Sequence, residues 1–126
     1  MVEKTNIQHV ALQYNNRKQA EIFFSKILGI PLTKTFTISK ELSDKIFKIR
    51  EETIVDVYSN EKAYFEIFIT KTQINHGYEH IGIEINDKEE FLKRCKNNNI
   101  EPIFVEKGEK ILLFVRDFAG NLFEIK

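Results

Sequence analysis

Two stretches of the sequence, IQHVALQYNNRKQAEIFF at residues 7–24 and YEHIGIEINDKEEFLKRC at residues 78–95, share one pattern at a constant offset of 71 residues. The alignment places His9 over His80 and Ala11 over Gly82. Near the end of each half, YFEIF and LFEIK also align, which places Glu66 over Glu124 at an offset of 58 residues. A repeat of this kind indicates two copies of one supersecondary unit.

Each half predicts a strand, a helix and then three strands. In the first half an apolar stripe follows the first strand at helical spacing, and Asn15 or Asn16 can cap the helix that Gly29 ends. In the second half Asp87 and Glu90 have capping-box spacing. The predicted strands cover residues 7–14, 32–38, 46–58 (which can be broken) and 63–70, then 78–85, 102–106, 110–116 and 122–126.

The first half is 13 residues longer than the second, because the offset falls from 71 to 58. The surplus is expected in the polar stretch around residues 39–44, which has no match in the second half. We therefore predict one α+β domain over residues 1–126, with a first module at about 5–72 and a second at about 77–126. A turn is expected at residues 117–120.

Composition excludes several classes of function. Nineteen basic side chains balance nineteen acidic ones and the sequence pI is about 6.8, so neither nucleic acid nor a membrane is an expected partner. The single cysteine, Cys95, excludes an internal disulfide and is expected to be a buried, inert thiol. With no apolar leader in MVEKTNIQHV, a cytoplasmic location is expected.

Strand alternation places two histidines and two glutamates on the faces opposite the helices. His9 alternates with Val10, and Glu66 lies between Phe65 and Ile67, which suit packing against a helix. A strand histidine or glutamate taken alone is more often a hydrogen-bonded or solvent-facing residue. All four are repeat-equivalent, however, and the histidines have small neighbours on their face. If the strands line one concave sheet, two imidazoles and two carboxylates converge, a set that binds divalent metals.

These same motifs resemble the vicinal-oxygen-chelate superfamily, that of glyoxalase I, the bleomycin-resistance proteins and the extradiol dioxygenases. The resemblance rests on the paired βαβββ halves, IQHVAL with YEHIGIEI, FFSKILGI after the first helix, and the closing FVRDFAGNLFEIK. It implies two tandem modules that form a half-open barrel, with metal ligands on the first and last strands of each. The four ligand positions would be His9, Glu66, His80 and Glu124.

A set of two histidines and two glutamates most resembles glyoxalase I, a lactoylglutathione lyase. Fosfomycin-resistance enzymes and dioxygenases of the superfamily usually lack the carboxylate that matches Glu66, and methylmalonyl-CoA epimerases generally carry Gln there. The resemblance implies one divalent ion, nickel, cobalt or zinc, and an isomerase or lyase that converts a small 2-oxo aldehyde thiol adduct or related oxyacid through an enediolate. Glu124 would be the base, and Glu66 the second carboxylate. Another metalloenzyme of the superfamily, of the epimerase or resistance type, and a non-catalytic binding protein remain alternatives.

Four further residues are candidates for binding a small-molecule substrate. Gln13 stands where bacterial glyoxalase I typically has an arginine for the glutathione carboxylate, so the use of glutathione stays open. Glu84 shares the face of His80, and Arg116 and Lys126 end the last two strands. His76, outside the repeat, is expected to be a loop residue. The resemblance also implies a homodimer in which His9 and Glu66 of one chain face His80 and Glu124 of the other.

Overall fold

Eight strands form two four-stranded sheets in the residues that the computed structural model describes, which are 7–71, 75, 77 and 79–126. The first sheet has the order β1-β4-β3-β2, with β1 at Val10–Tyr14, β2 at Leu32–Ile38, β3 at Thr53–Ser59 and β4 at Tyr64–Ile69. The second sheet has the order β5-β8-β7-β6, with β5 at His80–Ile83, β6 at Ile103–Lys107, β7 at Lys110–Arg116 and β8 at Leu122–Ile125. In each sheet the strand that comes first in the chain, β1 or β5, pairs in parallel with the strand that comes last, β4 or β8. The other strand pairs are antiparallel. The α+β architecture of two tandem modules is therefore confirmed.

Three helices accompany the strands in this part of the chain, and side-chain caps fix where they begin. Helix α1, Arg17–Glu21, continues directly into a π-helical segment, Ile22–Ile27, and Gly29 follows at φ 75°. Helix α2 spans Lys40–Phe47 and helix α3 spans Lys88–Asn97. The Asn16, Ser39 and Asp87 side chains accept hydrogen bonds from the backbone N–H three residues on, at 3.0–3.1 Å. Asn16 thus caps α1, and Asp87 caps α3 by accepting a hydrogen bond from the Glu90 backbone N–H, as its spacing predicts.

Helix α2 corrects one predicted strand. Residues 46 and 47, assigned to a strand over 46–58, end α2 instead, and β3 begins only at Thr53. The prediction was wrong because the apolar run after Lys45 has strand-like composition, whereas the Ser39 cap and the burial of Ser43 favour a helix there. The surplus of the first module does lie in the β2–β3 connection, where the second module has a tight turn at Gly108.

The other elements differ from their predicted limits by a few residues. Strand β1 begins at Val10 rather than residue 7, and β5 ends at Ile83 rather than residue 85. Tyr78, the predicted start of β5, lies outside the described residues, as does His76. Among the described helices, we find none long and apolar enough to span a membrane.

Aromatic side chains from both modules meet in one core between the sheets and helices. The Phe24 ring lies 5.2–5.3 Å from the rings of Phe23, Tyr58 and Phe65, measured between centroids. Phe23 also packs against Phe123 of the second sheet at 5.1 Å. Each of these rings is at most 3% exposed, and burying a side chain of this size contributes about 1.5–3 kcal/mol. Burial of this shared core holds the two modules together in one chain.

Strand register fixes which side chains face away from this core. In the first sheet Val10 pairs with Phe65 and Leu12 with Ile67 on the core side, while Ala11 pairs with Glu66 on the opposite side. In the second sheet Gly82 pairs with Glu124 in the same way. We call the side of each sheet that carries its glutamate, Glu66 or Glu124, the His–Glu face.

Candidate functional site

Each sheet carries one histidine and one glutamate in contact on its His–Glu face. The His9 Nε2 atom lies 3.5 Å from Glu66 Oε1, and the His80 Nε2 atom lies 4.0 Å from Glu124 Oε1. The imidazoles are 44% and 48% exposed, whereas the carboxylate side chains are only 20% and 18% exposed. The two pairs therefore have nearly the same environment, as the sequence repeat predicts.

Small residues keep both carboxylates accessible. The residue opposite Glu66 on the neighbouring parallel strand is Ala11, and the residue opposite Glu124 is Gly82. A Cβ atom added at Gly82 would have no neighbour within 4 Å, so the space above the strand is open rather than filled by another part of this chain. The small side chains thus leave room for a ligand beside each pair.

The four predicted ligands do not meet in one chain. Across the described ranges 7–71 and 79–126, no group of three or more His, Cys, Asp and Glu side chains is close enough to hold a metal ion. His9 and Glu66 belong to the first sheet and His80 and Glu124 to the second, and the expected convergence on one common sheet is absent within the chain. Their role as ligands stays a prediction that needs the two pairs to be joined in another way.

The chemistry of each pair fits one half of a metal site. Imidazole nitrogens and carboxylate oxygens bind divalent ions at about 2.0–2.2 Å, which places two neighbouring donors about 3–3.5 Å apart. The observed separations of 3.5 and 4.0 Å lie at or just beyond this range. A pair alone offers two ligands, fewer than the three or four protein ligands of a usual zinc site. Two pairs would supply four.

The predicted substrate residues occupy four different settings. Lys126 lies on the His–Glu face of the second sheet, with its Nζ atom 3.4 Å from Glu124 Oε2. Arg116 donates to the Gly120 carbonyl oxygen at 2.7 Å, so it also stabilises the turn after β7. Gln13 donates to Thr70 Oγ1 at 2.7 Å. Glu84 lines a groove of about 430 Å³ between the modules. Lys126 thus contacts the predicted ligand Glu124 directly.

Helix α2 adds a pocket that sequence reasoning missed. The helix lies against the His–Glu face of the first sheet, where Phe47 packs edge-on against Phe68 with ring centroids 5.3 Å apart. The face predicted to lack helices is therefore partly covered in the first module. A cavity of about 180 Å³ lies between α2 and the sheet. The Ser39 cap followed by Ser43 and Phe47, four residues apart, was the signal that could have revealed it.

A buried tyrosine and aspartate meet where the modules join. The Tyr14 hydroxyl faces the Asp117 carboxylate and, among the described residues, is the buried side-chain polar atom that lacks a hydrogen bond of good geometry. Burial, and next the negative charge of Asp117, raise the pKa of Tyr14 well above its usual value. Burial also raises the pKa of Asp117, which hydrogen bonds from Asn121 oppose. These groups are too enclosed to reach substrate and contribute to the module junction.

An ion pair between a half-exposed arginine and a buried aspartate supports the core side of the first sheet. Arg17 donates two hydrogen bonds to Asp56, at 2.7 and 2.8 Å, and Thr35 Oγ1 donates a third at 2.9 Å. The Asp56 side chain is 1% exposed, while that of Arg17 is 49% exposed. The hydrogen bond and charge of Asp56 raise the pKa of Arg17. Burial raises the pKa of the Cys95 thiol to about 11, which agrees with an inert cysteine.

Comparison with known proteins identifies the fold. No family model matches the sequence, and no curated protein matches it. The solved structures that resemble the chain include the fosfomycin resistance protein FosX from Listeria monocytogenes, with a TM-score of 0.71 and 15% identity over 98% of this chain and 93% of that one. They also include glyoxalase family proteins from Bacillus cereus (TM-score 0.73, 14% identity, 98% and 94% covered) and Enterococcus faecalis (TM-score 0.70, 19% identity, 95% and 95% covered). The chain has the fold of the vicinal-oxygen-chelate superfamily.

Proposed function

We propose that two copies of this chain form a homodimer that binds a divalent metal ion through His9, Glu66, His80 and Glu124, and that the site catalyses a glyoxalase I-like isomerisation. The observation that carries the proposal is the presence of a His–Glu pair on the same face of each sheet, at 3.5 and 4.0 Å. FosX structures that contain Mn(II) add support for a divalent ion in this fold. Nickel, cobalt or zinc are the ions that we expect here.

A dimer would join the pairs that one chain keeps apart. In a two-fold dimer every contact occurs twice, so a first-module pair that faces a second-module pair of the partner generates two equivalent four-ligand sites. The half-exposed imidazoles make both pairs accessible to a partner chain, and in the second module the space above Gly82 is open. The edge strands of the two sheets also favour further pairing.

The residues of each half would have distinct roles in the reaction. A bound divalent ion would supply Lewis acidity to two adjacent oxygens of a 2-oxo aldehyde thiol adduct or related oxyacid. Glu124 would remove the proton from the carbon that bears the hydroxyl group and return it to the neighbouring carbonyl carbon, as a general base and then acid, while the hydroxyl proton passes to the former carbonyl oxygen. Lys126, 3.4 Å from Glu124 Oε2, would orient this carboxylate. Glu66 and the two histidines would hold the ion while Glu124, the fourth ligand, acts on the substrate proton.

Fosfomycin-type chemistry is the second candidate. A FosX variant has been crystallised with Mn(II) and dihydroxypropylphosphonic acid, a phosphonate with two adjacent hydroxyl groups. Lys126 on the His–Glu face of the second sheet is a cation that could bind an anionic group of this kind. An epimerase, or a binding protein without turnover, would use the same fold.

Metal analysis of the purified protein tests the proposal first. We expect about one ion per chain in the wild type, because a dimer has two sites, and a clear loss in Glu66→Gln and in Glu124→Gln. Glu106→Gln is a matched control, because Glu106 is exposed on β6 and belongs to neither pair. A protein that purifies without metal and takes up no nickel, cobalt or zinc would overturn the proposal. Turnover of the methylglyoxal–glutathione hemithioacetal, compared with hydration of fosfomycin, then separates the two candidate reactions.

A further inference from the structure

The cavity beneath α2 has an uncharged lining. It lies between the helix and the His–Glu face of the first sheet, with a volume of about 180 Å³. Its lining residues are Ala11, Leu12, Gln13, Ser43, Phe47, Ile49, Thr53, Phe68 and Thr70. None of these side chains carries a charge at neutral pH, so an ionised group placed there would lose its hydration without gaining a partner.

This cavity opens beside the first-module half of the proposed metal site. Ala11 lies two residues after His9, and Phe68 lies two residues after Glu66 on the same face of β4. At the rise of a β-strand, two residues correspond to about 7 Å. A small molecule with one end at the His9–Glu66 pair can therefore reach the cavity with its other end.

The polar groups at the edge of the cavity include a pair that is already satisfied. The Gln13 amide donates to Thr70 Oγ1 at 2.7 Å, while the Phe47 and Phe68 rings form an aromatic wall. An apolar group can therefore occupy the cavity at a lower desolvation cost than a polar or charged group. An enclosed engineered cavity of about 150 Å³ binds benzene, and this cavity of about 180 Å³, which is open on one side, has room for a six-membered ring or a branched alkyl group.

The second module has no equivalent cavity wall. A tight turn at Gly108 replaces α2, and the residues that align with Gln13 and Phe68 are Glu84 and Lys126. One half of the proposed site therefore offers an uncharged pocket, while the other offers ionised side chains.

We propose that the α2 cavity is the subsite that selects an uncharged, apolar substituent, up to the size of a phenyl ring, on the substrate of the proposed metal site. The link to substrate rests on the proposed function, whereas the class of group that binds in the cavity follows from its lining alone. A substrate with an aryl or branched alkyl group next to its reacting oxygens fits better than one whose only substituent is a methyl group.

Binding of fluorobenzene to the full chain, followed by ¹⁹F NMR, tests the cavity without any need for activity. We expect saturable binding that Ser43→Leu weakens at least about tenfold, a loss of about 1.4 kcal/mol, because the added side chain fills the cavity from α2. Ala11→Val, which narrows it from the sheet, should weaken binding in the same direction if Ser43→Leu fails to fold. Ile46→Ala is the matched control, because Ile46 is an exposed residue of α2 that does not line the cavity. Absence of saturable binding, or equal affinity in the wild type and both cavity variants, would overturn the proposal.

Turnover then connects the cavity to the reaction. We expect kcat/KM for the phenylglyoxal–glutathione adduct, relative to that for the methylglyoxal adduct, to fall in Ser43→Leu and to stay unchanged in Ile46→Ala. An unchanged ratio in Ser43→Leu would show that the cavity is not a substrate subsite and would overturn the proposal. Fluorobenzene binding in a protein that converts neither adduct would refute the glyoxalase reaction while supporting the apolar cavity.

Discussion

Reassortment of two damaged variants provides a quantitative test of a site shared between chains. One variant carries His9→Ala and Glu66→Gln, and removes the ligand pair of the first module. The other carries His80→Ala and Glu124→Gln, and removes the pair of the second module. Each variant alone keeps only two ligands at every site, so both homodimers should bind metal far more weakly than the wild type.

A mixed dimer of the two variants would behave differently. One of its two sites would contain both damaged pairs and no ligand, while the other would contain both intact pairs and all four ligands. Random exchange of chains gives mixed dimers as about half of the total, so metal binding should recover to about one quarter of the wild-type stoichiometry. The fraction follows from the separation of the two pairs on different sheets of one chain.

The measurement is metal content after the two variants are mixed, partly unfolded to allow exchange, refolded and dialysed. Co-expression with two different affinity tags isolates the mixed dimer, which should bind about one ion per dimer instead of two. No recovery in a purified mixed dimer would refute the shared site. Recovery to the wild-type level would also contradict it, because only one site of each mixed dimer can be complete.

Three further predictions concern stability and pH. Arg17→Met should destabilise the fold by about 3–5 kcal/mol in urea unfolding, because it leaves the buried Asp56 carboxylate without its cation. Asp56→Asn should cost less, since the half-exposed Arg17 side chain can return to water. A larger loss of stability in Asp56→Asn than in Arg17→Met would contradict this reasoning. Cys95 should resist iodoacetamide at pH 8 in the native protein and react in urea, because its thiol pKa is raised to about 11; equal rates would be inconsistent with a buried thiol. Burial raises the pKa of Tyr58 from 10.0 to about 12, so the contribution of neutral Tyr58 to stability is complete below pH 10 and is lost as the pH rises through about 12. Tyrosinate absorbance and urea unfolding between pH 9 and 12 measure this loss. A gain in stability over that range would contradict the prediction.

Local sequence rules determine which side chains lie on the His–Glu face of each sheet. Because side chains alternate along a strand, the placement of Glu66 between Phe65 and Ile67 was enough to predict its face, and the repeat extended the same assignment to Glu124. The cap residues Asn16 and Asp87 act over three residues and were also predictable. These features depend on short stretches of chain, where the pattern of the sequence and the pattern of the structure are the same.

The position of one His–Glu pair relative to the other depends on contacts between residues that are far apart in the sequence, and no local pattern predicts such contacts. Phe23 of the first module packs against Phe123 of the second sheet, 100 residues further along the chain, so the packing of the two modules depends on contacts that are distant in sequence. The pairing of Arg17 with Asp56 is similarly distant in sequence, at a separation of 39 residues. The convergence of the four ligands therefore stays a prediction, and it requires the two-chain arrangement that the family resemblance implies.

The two modules agree at the residues that would bind the proposed metal ion and differ at the residues that would contact different parts of a substrate. Each module has a histidine, a glutamate and a small residue opposite that glutamate, with closely similar burial. Beyond these positions, the first module has an apolar wall with Phe68, and the second has Lys126 at the aligned position. A symmetric substrate would gain nothing from this difference, because one of its ends would always meet the wrong chemistry. The asymmetry of the halves therefore favours a substrate that is apolar at one end and polar or anionic at the other, with its reacting oxygens between them.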